Sequence, residues 1–245
     1  MATYKTPVIT PGQLEADLMT SVHAMIAGSA GSGKSVLLRR CMLYAAAKGY
    51  HTVLIDPKGA ELRPWKGCIN TIGYAEYTPE IIALLHECIG IMERRLHGMT
   101  KFCRMYEGTQ IWIMIDEYAD LVTSPRKKEI KTLVQRLAQK GRAAGIHVLL
   151  CTQRPTTDVI DGAIKVNITT RCALHCPTAQ DSRNILNHNG AEDLPMHGYA
   201  YLLRDSGAVD LYQTEMLDDS EEQRVVTYMT DIAHPVKAFF RKIFG

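Results

Sequence analysis

The chain has 245 residues, 46% of them hydrophobic and 22% charged, which excludes a disordered or fibrous protein. At about 150 residues per domain, that length fits one domain with appendages. Lys and Arg outnumber Asp and Glu by only 28 to 26, so any nucleic-acid site must be a local patch rather than a general positive field. The most apolar strand-like run, Ile111–Ile115, is far shorter than the ~18 residues of a membrane span. Met1–Lys5 leads into no apolar signal segment, and the seven cysteines are an odd number, so free thiols in a reducing cytoplasm are expected.

Residues 1–21 read as an N-terminal strand or arm, residues 22–217 as the main domain, and residues 218–245 as a C-terminal helix and basic tail. Within the main domain, strand-like and helix-like runs alternate. His23–Ala27 predicts a strand, Lys34–Lys48 a helix and His51–Asp56 a second strand closed by Pro57. Pro79–Phe102 repeats Ile81, Leu85, Cys88, Ile89 and Met92 at three- and four-residue steps, the period of an amphipathic helix. Ile111–Ile115 is a third strand. Arg126–Ala144 is a helix with Ile130, Leu133, Val134 and Leu137 inward and Gly145 as its cap. Ile146–Thr152 and Ile168–Cys176 are further strands. Tyr199–Arg204 and Ala208–Tyr212, joined by Asp205-Ser206-Gly207, predict a hairpin, and Asp218–Ile232 a last helix. Near-continuous apolar strands separated by helices predict an α/β fold, with a mostly parallel sheet covered on both faces.

Cys172, His175 and Cys176 invite a metal reading. On one strand, however, the two thiols would stand about 13 Å apart and His175 would point to the other face. Buried core thiols are the expected reading.

Gly28-Ser29-Ala30-Gly31-Ser32-Gly33-Lys34-Ser35, followed by Val36, has the spacing of a P-loop between a strand and a helix. Its glycines let the backbone close around phosphate, and its N–H groups face the anion. Lys34 can reach the terminal phosphates of ATP and Ser35 can ligate Mg²⁺. Asp116 and Glu117 leave the apolar strand Ile111–Ile115 together. They suit a Mg²⁺ ligand and a general base that activates water. Gln153 ends the next strand and would face the γ-phosphate if that strand lies between the other two. The helix Arg126–Ala144 carries Lys127, Lys128 and Lys131 with Glu129 as its single acid, either a solvated face or a nucleic-acid or subunit contact. Arg142, in Lys140-Gly141-Arg142-Ala143-Ala144-Gly145 at the helix exit, could offer a guanidinium to a neighbour's γ-phosphate.

These motifs, with Ile55-Asp56-Pro57-Lys58, Asp116–Asp120, Gly141–His147, Thr152–Pro155, Ile164–Ile168, Arg171, Asp181–Leu186 and Gly190–Glu192, resemble the FtsK/SpoIIIE family of DNA translocases. The resemblance runs from about Asp17 to Leu203. It implies a RecA-like motor that assembles into a ring, usually a hexamer, with ATP at subunit interfaces and double-stranded DNA in the centre. It also implies Gln153 as γ-phosphate sensor, Arg142 as an arginine finger acting in trans, and Arg183 on a pore-facing loop that contacts DNA. Ala179 stands where family members often carry a lysine four residues before that arginine. One motor without a membrane segment or winged-helix domain looks like a protein of a plasmid, phage or integrative element, with a separate membrane or relaxase partner.

Two other readings remain open from the sequence. The same motor could act in conjugative transfer as a coupling protein or drive a protein substrate, as secretion-type ATPases do. A non-hydrolysing nucleotide-binding scaffold is the third, against which the Asp116-Glu117 pair argues. The tail Pro235–Gly245 holds three of the four phenylalanines and could dock on a subunit, a partner or an anionic membrane, or pack on its own domain.

Overall fold

The computed structural model describes residues 12–99, 103–214 and 216–231. Eight strands form one sheet in the order β3-β2-β4-β5-β1-β6-β7-β8. They are β1 (Ala24–Ala27), β2 (His51–Ile55), β3 (Thr71–Ala75), β4 (Ile111–Ile115), β5 (Ile146–Thr152), β6 (Thr170–Ala173), β7 (Tyr199–Leu203) and β8 (Val209–Gln213). The pairs from β3 to β6 are parallel, and β7 and β8 add an antiparallel hairpin at one edge.

Side chains alternate across the sheet and make two cores. Met25, Ile113, Ile115 and Val148 pack under the helices α3 (Thr78–Gly98), α4 (Tyr118–Val122), α5 (Lys127–Lys140), α6 (Gly162–Asn167) and α7 (Ala179–Leu186). Ile26, Trp112, Met114 and Leu149 pack under α1 (Gln13–Thr20), α2 (Lys34–Ala47) and α8 (Asp219–Asp231). With both faces covered, β4 has no polar position to show, which is why it reads Ile-Trp-Ile-Met-Ile.

Several boundaries differ from the sequence reading. Residues 13–20 form a helix rather than a strand or arm, because Leu14 and Leu18, four apart, are buried on one face. An ion pair between Arg40 and Glu15 and another between Arg204 and Asp17 tie that helix to α2 and to the end of β7. β3 was not anticipated; Gly73 breaks its pattern and Ile72 stays exposed at the sheet edge. The helix expected over Arg126–Ala144 turns into a 3₁₀ turn at Gly141–Ala144, and Gly145 closes it in the left-handed region at φ 64°. The strand expected over Ile168–Cys176 is confined to Thr170–Ala173, since residues up to Asn167 belong to α6. Residues 100–102, the end of the expected Pro79–Phe102 helix, and the tail from residue 232 onward lie outside the described residues.

Candidate active site at the carboxyl ends of the strands

In a parallel sheet the strand exits gather at one edge, where helix N-termini also point. β1, β5, β4 and β2 are consecutive neighbours, so the loops after them meet. The loop after β1 is the P-loop, and it is pinned rather than floppy. Gly28 N donates to Thr152 O at 3.4 Å and Ser29 N to His175 O at 2.8 Å. The Ser32 hydroxyl donates to Ser29 O at 2.8 Å. A Cβ on Gly28 would stand 2.8 Å from Ser32 Oγ and 2.9 Å from Leu174 Cβ, so no side chain fits there. Ala30 and Gly31 form the exposed crest. Gly33, at φ 98°, turns the chain into α2, whose first turn has no acidic residue and no side-chain cap. The N–H groups of Lys34, Ser35 and Val36 are therefore left for an anion.

Lys34 is buried, and its Nζ donates to Ser29 O at 2.7 Å. Burial holds its pKa below the ordinary lysine value, against the pull of Cys151, Glu117 and Asp116. Asp116 is also buried, and its carboxylate makes no hydrogen bond among the described residues. Burial, then the Asp56 and Glu61 carboxylates, push its pKa up to about 7, with Lys58 opposing. An acid so short of counter-charge fits a divalent cation, for which Asp116 and the Ser35 hydroxyl are candidate oxygen ligands. Glu117 is held differently. Its Oε1 accepts from the Thr152 hydroxyl at 2.9 Å, and both its oxygens accept from Gln153 N at 3.1 Å.

β5 lies between β4 and β1, as required for Gln153 to stand between the P-loop and Asp116. The Gln153 side chain is exposed there. Arg142 does not join this group. It is exposed in the turn before β5, at the opposite end of that strand. Arg183 lies on α7 rather than on a loop, because the Thr178 hydroxyl caps a helix by accepting from Asp181 N. It is exposed, donating to Asn189 Oδ1 at 2.7 Å and to Gln180 Oε1 at 3.1 Å. Lys127 and Lys128 are exposed in the first turn of α5. Lys131 is committed elsewhere, with its Nζ 2.6 Å from Asp158 O and 3.0 Å from Asp161 Oδ2. Arg126 and Arg136 pair with Glu129 and Glu93, so about half of the basic run is neutralised within the chain.

The sequence reading missed a cavity of about 360 Å³ beside the P-loop, lined in part by Val36, Arg40, His197, Thr214 and Met216. It is mostly apolar and continues from Gly31–Gly33, where a nucleoside attached to bound phosphates would extend. Its far wall comes from the base of the β7–β8 hairpin, which no local motif announces.

The FtsK/SpoIIIE family model matches residues 6–106 and 103–157. The chain belongs to the FtsK/SpoIIIE family. Among FtsK relatives, a DNA translocase FtsK 2 from Neisseria meningitidis is 33% identical over 94% of this chain and 26% of that protein. A DNA translocase FtsK from Vibrio vulnificus is 37% identical over 74% of this chain and 22% of that protein. The chain thus spans about a quarter of the length of these two relatives. Among solved structures, the pCW3 conjugation coupling protein TcpA, in its monomer form with ATPgS, aligns with a TM-score of 0.74 at 24% identity, covering 86% of this chain and 66% of that one. The cytoplasmic domain of the Thermomonospora curvata type VII secretion ATPase EccC aligns at 0.71 and 23% identity, covering 85% and 28%. The fold is that of P-loop ATPase motor domains.

Proposed function

We propose that this chain is a Mg²⁺-dependent ATPase motor that translocates DNA, working in the cytoplasm as a closed ring, a hexamer by family resemblance. The observation that carries this reading is the meeting of the P-loop with Asp116, Glu117 and Gln153 on the exits of neighbouring strands. ATP binds with its phosphates on the N–H groups of Gly31 to Ser35 and its nucleoside toward Val36 and Thr214. Lys34 neutralises the terminal phosphates, and Ser35 and Asp116 hold Mg²⁺. Glu117 takes the proton of the attacking water. Gln153 reads the γ-phosphate. Bound Mg²⁺ supplies charge neutralisation across the phosphates.

Arg142 completes a neighbour's site rather than its own, a reading supported by its position at the far end of β5. Arg183, Lys127 and Lys128 are exposed cations on the α3 side of the sheet and supply phosphate contacts; Lys131 serves α6 instead. Such contacts track the backbone without reading bases, so binding should weaken steeply with salt. The deciding experiment is steady-state ATP hydrolysis with duplex DNA, single-stranded DNA or no polymer, with Lys34→Ala as the blank. Stimulation by DNA that vanishes in that variant is the expected result; turnover indifferent to DNA would overturn the translocase.

A second reading, a protein substrate, is favoured by Ala179 and by the Arg183 guanidinium resting on Asn189 and Gln180. Stimulation by an unfolded polypeptide but not by DNA would select it.

A further inference from the structure

Asp56 and Lys58 of Ile55-Asp56-Pro57-Lys58 bear on the charge of Asp116, but no role in turnover has been given to them, and the segment lies beside the proposed water-activating carboxylate. β4 lies between β2 and β5, so the exit that carries Glu117 has the β2 loop on one side and the end of β5 on the other. The β2 loop is fixed at its base. Asp116 N donates to Ile55 O at 3.0 Å, tying the two exits together. Asp56 is fully buried, and its two oxygens accept from Gly59 N at 2.9 Å and Leu62 N at 3.0 Å. These bonds fold residues 56–62 into a compact loop that turns Lys58 back over β4.

There the Lys58 Nζ stands 3.8 Å from Glu117 Oε2 and 3.9 Å from Asp120 Oδ2. It makes no hydrogen bond among the described residues, so its charge is available to both carboxylates. On the β5 side the Thr152 hydroxyl donates to Glu117 Oε1 at 2.9 Å. That hydroxyl oxygen accepts from Arg154 N at 3.0 Å, and of the two acceptors within its reach Glu117 Oε1 is the nearer, Arg154 O standing at 3.4 Å. Glu117 is thus braced from both neighbouring strands, by a hydroxyl and a backbone N–H on one flank and an ammonium on the other.

We propose that Lys58 and Thr152 are positioning residues for Glu117, holding its carboxylate at a fixed angle for the attacking water. The proposal rests on the reading of Glu117 as the base. Neither side chain belongs to the P-loop, so both act on turnover and not on nucleotide binding. A general base displaced by a fraction of an ångström loses much of its effect.

The test compares kcat with equilibrium binding of a fluorescent ATP analogue in the full chain. Lys58→Met should lower kcat about ten- to a hundredfold while nucleotide affinity and melting temperature stay unchanged. Lys58→Arg should restore most of the rate. Thr152→Val should act in the same direction and Thr152→Ser should recover it; should the buried Thr152→Val fail to fold, the half-exposed Lys58 pair decides alone. In a Glu117→Gln background, Lys58→Met should cause no further loss. Wild-type kcat in Lys58→Met beside an inactive Glu117→Gln would overturn the positioning role. An equal fall in affinity and kcat would make Lys58 a nucleotide ligand instead and also overturn it. Wild-type turnover in Glu117→Gln itself would overturn the reading of the base, a different failure.

Discussion

At their carboxyl ends β1, β4 and β5 lead to Lys34, Asp116, Glu117 and Thr152, while at their amino ends the same strands hold His23, Trp112 and His147. Both ends bury polar groups. At the amino ends those groups are uncharged: His23 Nδ1 accepts from Val148 N at 3.1 Å and His147 stacks on Trp112 with centroids 4.8 Å apart, while His23 Nε2 and Trp112 Nε1 have no hydrogen-bond partner among the described residues. Burial, then His147, lower the His23 pKa to about 4, so its imidazole is uncharged across the physiological range. At the carboxyl ends burial works against the charge of both the Lys34 ammonium and the Asp116 carboxylate. The contrast separates polarity that belongs to the fold from polarity that awaits a ligand, because an unneutralised buried charge is tolerated only where function requires it.

The largest expected effect lies at the carboxyl ends. Lys34→Ala should lower turnover by more than about a hundredfold, measured as steady-state phosphate release, since it removes the cation nearest the transferred phosphate. Asp116→Asn comes next and has two signs. It should abolish Mg²⁺-dependent turnover, yet stabilise the nucleotide-free protein. The folded pKa of about 7 lies above the ordinary 3.8, so ionising Asp116 costs stability as pH rises between those values, and the whole cost is present above 7. The gain is on the order of 4 kcal/mol at pH 8 and vanishes near pH 4, read from denaturant unfolding. An equal gain at both pH values would break the comparison.

At the amino ends the sign reverses. The His23 folded pKa of about 4 lies below 6.5, so its stability contribution is complete above 6.5 and lost as pH falls toward 4. His23→Gln should flatten that acid limb, worth roughly 3 kcal/mol, in unfolding curves taken from pH 7 to pH 4. Trp112→Phe should change stability least. Trp112 Nε1 has no hydrogen-bond partner among the described residues, so removing the buried N–H offsets the small void, leaving a net change within about 1 kcal/mol. A larger loss in a thermal melt would mean that the His147 stack carries more than packing.

The carboxyl ends, with the candidate site, were the most legible part of the sequence. Gly28–Ser35 and Asp116-Glu117 are short contiguous patterns beside strongly apolar strands, and the structure brings both to one edge. What stayed hidden depends on strand order. Lys58 and Thr152 flank Glu117 only because β2 and β5 sit on either side of β4, an adjacency that chain order does not state. How much of the basic run on α5 is free was hidden for a related reason, since Glu93 and Asp161, which pair with Arg136 and Lys131, come from other elements. α1 and β3 were missed because eight residues carry little periodicity and because an edge strand with a central glycine hardly alternates.

Arg142 and Gln153 bracket β5, whose seven residues separate them by about 23 Å at a strand's rise per residue. On the proposed reading, each copy presents its phosphate site at one pole and the missing cation at the other, a heterologous contact that repeats in one direction. An open row of such copies always ends on a site no neighbour finishes, and a solitary copy has none that is whole. Only closure gives every copy a completed site, so the count of working sites would jump, rather than grow evenly, as the last copy joins.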